Sequence, residues 1–220
     1  NVKWQDGTSF TAQDVKYTIE TLKQINSIYS YNVQHIASVD IIDNYSIRIN
    51  LDTIIPFFEY NLIFPIVSST YFAGQDIQNT EKNNTPIGTG MYKIESNSDS
   101  TVVLKKNTSW WNISEKNAKV ETINVNKYSS MGEAYNAFKL GNIDILTTEN
   151  INIEDNIGTI GYNKKEFYGR EHDFIALNTY DNFLSRWEVR KAISYAIDKS
   201  SIVTSVYGGK YYRADNPLEY

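Results

Sequence analysis

Val2 to Lys23 reads VKWQDGTSFTAQDVKYTIETLK. Asp6-Gly7 is a turn signal, so the residues before it read as a strand end. Thr11 is placed to cap a helix, with its hydroxyl free to accept an N–H three residues on. Asp14 stands where a capping-box acid belongs, although Glu or Gln is the commoner partner. Phe10 before the cap and Val15 four after it are placed for a hydrophobic staple. Val15, Ile19 and Leu22 then share one face at helical spacing. Strand end, turn and capped helix follow one another within 22 residues.

Outward from that stretch, SVDIIDNYSIRINLD (Ser38 to Asp52) predicts a hairpin of two half-buried strands. Val39 and Ile41 alternate with polar residues, as do Tyr45, Ile47, Ile49 and Leu51, and Asp43-Asn44 suits the turn. Ile54 to Ser68 is apolar without a period and is interrupted by Pro56 and Pro65. It reads as a packed irregular segment holding one short helix. Gln75 to Thr85 is polar and reads as an exposed loop. Gly88 and Gly90 bracket a bend before a strand through Tyr92 and Ile94, and TVVLKKN is its hairpin partner, ended by Ser109-Trp110-Trp111-Asn112.

Val120 to Val125 alternates and predicts a strand. Met131 to Leu140 predicts a helix with Ala134, Ala137 and Phe138 inward and Gly141 as its stop. Ile143 to Thr147 (IDILT) predicts a strand straight after it, so Val120 to Thr147 predicts a parallel crossover in an α/β sheet. Asp173 to Asn178 (DFIALN) predicts one more sheet strand. Ser185-Arg186-Trp187-Glu188 is an S-x-x-E capping box, leading a helix with Val189, Ala192, Ile193, Ala196 and Ile197 on one side. Asp198 predicts the start of another helix, through Ile202 and Val206, ended by Gly208-Gly209.

The chain has 220 residues, room for one large domain or two small ones, with 41% hydrophobic and 21% charged residues, as a folded chain requires. A net charge of -5 without a basic tract argues against nucleic acid as a partner. With no cysteine, disulfides, thiol nucleophiles and thiolate metal sites are all excluded. The longest apolar runs, such as NLIFPIV, fall far short of a membrane span. Val2 and Trp4 read as the inside of a domain, which predicts a removed leader or a piece of a longer chain.

A search for catalytic chemistry is mostly negative. The two histidines, His35 and His172, belong to no metal-ligand pattern and read as structural or surface residues. No G-x-S-x-G elbow is present. Gly88-Thr89-Gly90 enters a strand and lacks the Lys-Ser/Thr of a phosphate loop, so it reads as a tight turn. The tryptophans, Trp4, Trp110, Trp111 and Trp187, stand beside turns and caps. They suit either core packing or a site for mixed apolar and polar ligands.

Taken in order, five segments resemble one family. VKWQDGTSFTAQDVKYTIE is similar to the "F-x-DGTPLTAEDVVFSIE" signature of bacterial extracellular solute-binding proteins of family 5, the peptide and nickel receptors of ABC importers. PIGTGMYKIE resembles that family's "PVGTGPYKL", NTSWWN its "NPDYW", and GNIDIL its "GEID". FLSRWEVRKAISYAIDKSSIV resembles "PFxDVRVRQALSYAIDRExIV". Met91 departs from the usual Pro, and Trp187-Glu188 from the commoner Val-Arg, which leaves Arg190 as the matched arginine.

The resemblance implies a partial α/β, periplasmic-binding-protein-like type II fold: a small subdomain over residues 1–85, a first-lobe segment over 86–178, and the crossover and start of a second lobe over 179–220. It implies a fragment of a two-lobed clamp with no catalytic step and no cofactor or metal. The ligand would be a short peptide, or a related solute such as a nickel chelate, held in an interlobe cleft. The partners implied are ABC permease subunits. The protein would sit on the extracellular face of the membrane, held only by a lipid anchor upstream of this chain, or in the periplasm. The ligand-lining residues carried over are Leu146, Thr147 and Thr148 after the GNID segment, and Phe174, Ala176 and Asn178 on one face of the strand near the hinge. The alternative is a surface or sensory protein on the same scaffold. A hydrolase is a third reading, for which the chain shows no nucleophile–base pair.

Overall fold

The Asp6-Gly7 turn closes as its residues dictate in the computed structural model of the chain, which describes residues 2–167, 169, 173–214 and 216. Gly7 takes φ +90 and donates its N–H to Trp4 O at 3.0 Å, while Asp6 Oδ1 accepts from the N–H and hydroxyl of Thr8 at 2.9 and 2.6 Å. Trp4 N–H donates to Thr8 O at 2.8 Å and Phe10 N–H to Val2 O at 3.1 Å, so the two sides of the turn pair. Helix α1 (Ala12–Leu22) follows, with Thr11 as its N-cap.

The chain divides into two compact units, Asn1–Tyr128 and Ser129–Tyr220. In the first, a one-turn helix α2 (Ser30–Val33) leads into the antiparallel hairpin of β1 (Ile36–Asp43) and β2 (Ser46–Leu51). The core packs one face of α1 against this hairpin: Ile19, Leu22, Val33, Ile36, Val39, Phe58 and Phe64 are buried together. Burying each of these side chains contributes about 1.5–3 kcal/mol for the larger aliphatic and aromatic ones. Strict alternation predicted Val39 and Ile41 inward on β1. Instead Ile36 and Val39 are buried and Ile41 is 41% exposed, because register shifts at Ile36/Ser38 and Ile41/Asp43 break the period of two. The hairpin tip returns to the helix, where Asn44 O accepts from Ala12 N–H at 2.8 Å. The irregular segment after β2 holds one 3-10 turn, Phe58–Asn61, as predicted.

The second sheet of this unit is an antiparallel meander of β3 (Tyr92–Asn97), β4 (Thr101–Lys106) and β5 (Thr122–Asn126). The GTG bend before β3 is tied down from two sides. Gln5 N–H donates to Gly88 O at 3.0 Å, the Gln5 side-chain carbonyl accepts from Gly88 N–H at 3.0 Å, and its amide donates to Tyr92 O at 2.6 Å. Trp110 and Trp111 each donate an indole N–H to Thr89 O, at 2.9 and 3.0 Å. The bend is therefore structural, held by the side chains that precede and follow it in the other family-like segments.

In the second unit, α3 (Met131–Lys139) is followed by a one-turn helix α4 (Glu154–Ile157), then α5 (Trp187–Ala196) and α6 (Lys199–Ser201), which runs into a π-turn at Ile202–Val206. The end of α3 is a Schellman closure: Asn142 N–H donates to Ala137 O at 2.9 Å, Gly141 N–H to Phe138 O at 3.0 Å, and Gly141 takes φ +73. Asp198 caps α6 by accepting Ser201 N–H at 2.9 Å, and Gly208 and Gly209, at φ +58 and +74, end the π-turn.

Three expectations are corrected. The parallel crossover does not form, since β5 pairs antiparallel with β4 and residues 143–147 belong to no strand. Residues 173–178 likewise belong to no strand. Alternating side chains make a segment suitable for a sheet face, but a strand exists only where a neighbour supplies the ladder. Neither segment is part of the two sheets among the described residues, and Ile145, Phe174 and Ile175 are 83, 76 and 67% exposed. The capping box at Ser185 does not form either. Arg186 is the N-cap of α5, because Asp181 holds the preceding turn through Phe183 N–H and Leu184 N–H at 2.8 and 3.0 Å, and Asp181 O takes Ser185 N–H at 2.8 Å. Arg190 closes that turn from the helix side, donating to Leu184 O and Ser185 O at 2.7 and 2.8 Å. On α5, Val189 and Ile193 are half-buried, as is Ile197 at its C-cap, while Ala192 and Ala196 are exposed. His172 lies outside the described residues.

Candidate functional site

The second unit contains a pocket of about 410 Å³, lined by Met131, Tyr135, Thr147, Thr148, Glu149 and Asn150. Helix α3 builds one wall. Its start is capped by Ser130 Oγ, which accepts Glu133 N–H at 3.3 Å, while Glu133 reaches back to Ser129 N–H and Oγ at 3.2 and 2.9 Å. Ala134 and Ala137 are buried, and Phe138 packs edge-on against Tyr162 at 5.9 Å, so the helix is held by that side. Met131 and Tyr135, one turn apart, face the pocket.

The opposite wall is the chain returning after the Gly141 stop. Tyr135 OH and Thr148 Oγ1 are 3.0 Å apart across the pocket, and Thr148 Oγ1 also accepts Asn150 N–H at 3.1 Å. Asn150 Oδ1 in turn accepts Asn152 N–H at 3.0 Å, which fixes the turn beyond Glu149. Two of the residues singled out from the sequence, Thr147 and Thr148, therefore stand together in the lining. Leu146 is half-buried beside them and outside the lining. Phe174, Ala176 and Asn178 are exposed and do not line this pocket, and Asn178 Oδ1 accepts Tyr180 N–H at 3.1 Å in a local turn. Sequence reasoning missed Met131, Tyr135, Glu149 and Asn150. The 131/135 spacing was the available signal, on the face of α3 away from the inward alanines.

Among the described residues no cluster of three or more His, Asp or Glu side chains is placed to hold a metal ion. His35 Nδ1 lies 3.2 Å from Asp52 Oδ1 on an exposed edge of the first unit, with no hydroxyl nucleophile in the pair.

Compared with known families, residues 1–220 match the one described as bacterial extracellular solute-binding proteins, family 5, middle region. The chain belongs to this family. Di/tripeptide-binding protein 1 of Pseudomonas aeruginosa is a family relative, 24% identical over 95% of this chain and 42% of its own length. Among solved structures, NikZ from Campylobacter jejuni, crystallised with Ni(L-His), is 27% identical with a TM-score of 0.73 over 99% of this chain and 44% of that one. AppA from Clostridium difficile is 25% identical with a TM-score of 0.79, over 94% of this chain and 44% of that one. The chain thus carries part of the periplasmic-binding-protein-like type II fold of the family-5 proteins. It spans about two fifths of the length of the curated relatives it matches.

Proposed function

We propose that the chain is part of the substrate-binding component of an ABC importer, and that it takes short peptides or a related solute such as a nickel chelate. The family match over residues 1–220 carries this reading. Peptides come first because a relative over 95% of the chain is a di/tripeptide-binding protein. A chelate stands beside them because NikZ holds Ni(L-His). The solute binds in a cleft between two lobes that close on it, with no bond made or broken. Residues 1–85 serve as a small subdomain, 86–178 as first-lobe structure and 179–220 as the entry to the second lobe. Leu146, Thr147, Thr148, Phe174, Ala176 and Asn178 contribute the lining. The permease subunits are the partners. The site of action is the outer face of the cell membrane, through a lipid anchor upstream, or the periplasm.

A thermal-shift screen of the full-length protein tests this, with di- to pentapeptides, Ni(L-His) and short oligosaccharides. A solute at 100 times its Kd adds about 2.7 kcal/mol to the native state. Peptides or the chelate are expected to raise the midpoint. A panel in which nothing raises it would favour a surface or sensory role on the same scaffold.

A further inference from the structure

The second wall of the 410 Å³ pocket ends in a turn that a distant lysine holds. Glu149 and Asn150 line the pocket, and the chain then passes through Ile151 and Asn152 into α4. Lys210 lies 59 residues beyond Ile151. Its ammonium donates to Ile151 O and, at 3.3 Å, to Asn152 Oδ1, and it stands 3.9 Å from Glu154 Oε2. An ammonium has three hydrogens to donate, and three acceptors of one short turn meet it here.

The turn's own bonds serve its donors: Thr148 Oγ1 takes Asn150 N–H at 3.1 Å and Asn150 Oδ1 takes Asn152 N–H at 3.0 Å. Lys210 serves its acceptors. The lysine is itself fixed at its base. Its backbone N–H donates to Tyr207 O at 3.0 Å, Gly209 N–H donates to Val203 O at 2.9 Å, and the rings of Tyr207 and Tyr211 lie 4.5 Å apart. It therefore leaves from the closed end of the π-turn after α6. Lys210 is 38% exposed, so its 3.9 Å pairing with Glu154 contributes little. The bonds to Ile151 O and Asn152 Oδ1 have a charged donor, which makes them stronger than neutral ones, and they carry the contact. Lys164 shares the Glu154 carboxylate and pairs with Glu166 as well.

We propose that Lys210 is a positioning residue for the pocket, clasping the turn at Ile151 and Asn152 so that the wall at Glu149 and Asn150 moves with segment 199–211. That segment belongs to the stretch assigned above to the entry of a second lobe, so motion there reaches the pocket wall. The clasp stands on these contacts, and its effect on affinity rests on the solute-binding reading above.

The test uses the full-length protein with Lys210→Met, Lys210→Arg and Lys164→Met. Hydrogen exchange of the unliganded protein, read over residues 150–158, and calorimetric Kd values for trialanine and Ni(L-His) are the two measurements. Lys210→Met is expected to speed exchange there by about fivefold or more. It is expected to weaken whichever probe binds by about threefold or more, as a positioning residue without ligand contact can. Lys210→Arg keeps a cationic donor and is expected to restore both. Lys164→Met removes a cation from the same carboxylate without touching Ile151 or Asn152, and is expected to leave Kd within about twofold. A lysine that only added stability would lower the melting midpoint and leave both measurements unchanged. Wild-type exchange in Lys210→Met, faster exchange with unchanged Kd, or equal losses in Lys164→Met would overturn the proposal and leave the solute-binding reading intact. Binding of neither probe by the wild type would count against the solute-binding reading, and the exchange comparison would then decide the clasp by itself.

Discussion

Trp4 Nε1 donates to Asp14 Oδ2 at 3.1 Å, joining the strand end before the Asp-Gly turn to the first turn of α1. The same carboxylate accepts Thr11 N–H at 2.8 Å, and its other oxygen accepts Ser69 N–H and Oγ at 2.8 and 2.7 Å. Asp14 is only 2% exposed and carries four donors. A buried carboxylate is tolerable only with such partners. Asp in place of the usual Glu fits here because the shorter side chain brings the helix cap, the indole and Ser69 to one point.

Replacing Asp14 should therefore destabilise the chain more than loss of an ordinary cap, which costs about 1 kcal/mol. Asp14→Asn keeps the shape but turns an acceptor into a donor facing donors, and should cost about 1.5–3 kcal/mol. Asp14→Ala leaves several buried donors unpaired and should cost more. Urea midpoints followed by tryptophan fluorescence measure both. Costs no greater than an exposed cap would contradict the hub.

How much of this was legible follows from where the partners lie. Thr11 and Asp14 are local, so helix α1 could be read from its own letters, as could the Gly141 stop. Ser69, the partner 55 residues away, left no local sign. The same limit explains segments 143–147 and 173–178. Their alternation was visible, but a strand also needs a neighbour, and that is a non-local fact. At α5 the helix was legible but its capping box was not formed, because Asp181 holds the preceding turn and the cap falls one residue later, at Arg186. Thr147 and Thr148, singled out through resemblance, stand in the pocket lining. Tyr135 was missed because its neighbours Ala134 and Ala137 marked the core face of α3.

The two indoles on Thr89 O should prove redundant. A carbonyl has two lone pairs, so removing one donor leaves it paired. Trp110→Phe should cost about 1 kcal/mol and the more exposed Trp111→Phe less. The double variant should exceed their sum by about 0.5–1 kcal/mol, within the range for groups sharing a partner. Strict additivity in the double-mutant cycle would contradict a shared acceptor.

Gly141→Ala isolates backbone strain. A Cβ there meets nothing within 4 Å, yet φ is +73. The expected cost is about 1 kcal/mol, from the left-handed conformation alone. Gly141→Asn should cost less, since Asn tolerates that region. Equal melting midpoints for Gly141→Ala and wild type would show that the Schellman closure is absent.

Acid should weaken the second unit through named carboxylates. Backbone N–H groups of Leu184 and Phe183 hold Asp181 below the usual aspartate pKa, and Lys164 does the same for Glu154. Both folded values are depressed. Their contribution is therefore complete above the unfolded values, about 3.9 and 4.3, and is lost as pH falls through the lower folded values. Urea midpoints between about pH 5 and pH 2 should fall, and Asp181→Asn should shallow that fall. A profile identical to wild type would contradict the role of Asp181.

The central claim is that the solute is held between this part of the protein and the rest of a two-lobed receptor. The most direct test compares Kd for one peptide, by calorimetry, between the full-length protein and the 220-residue chain alone. Binding at least 100-fold weaker to the chain alone is the predicted result. Equal affinities would contradict the claim, because the chain would then hold its solute without a second lobe.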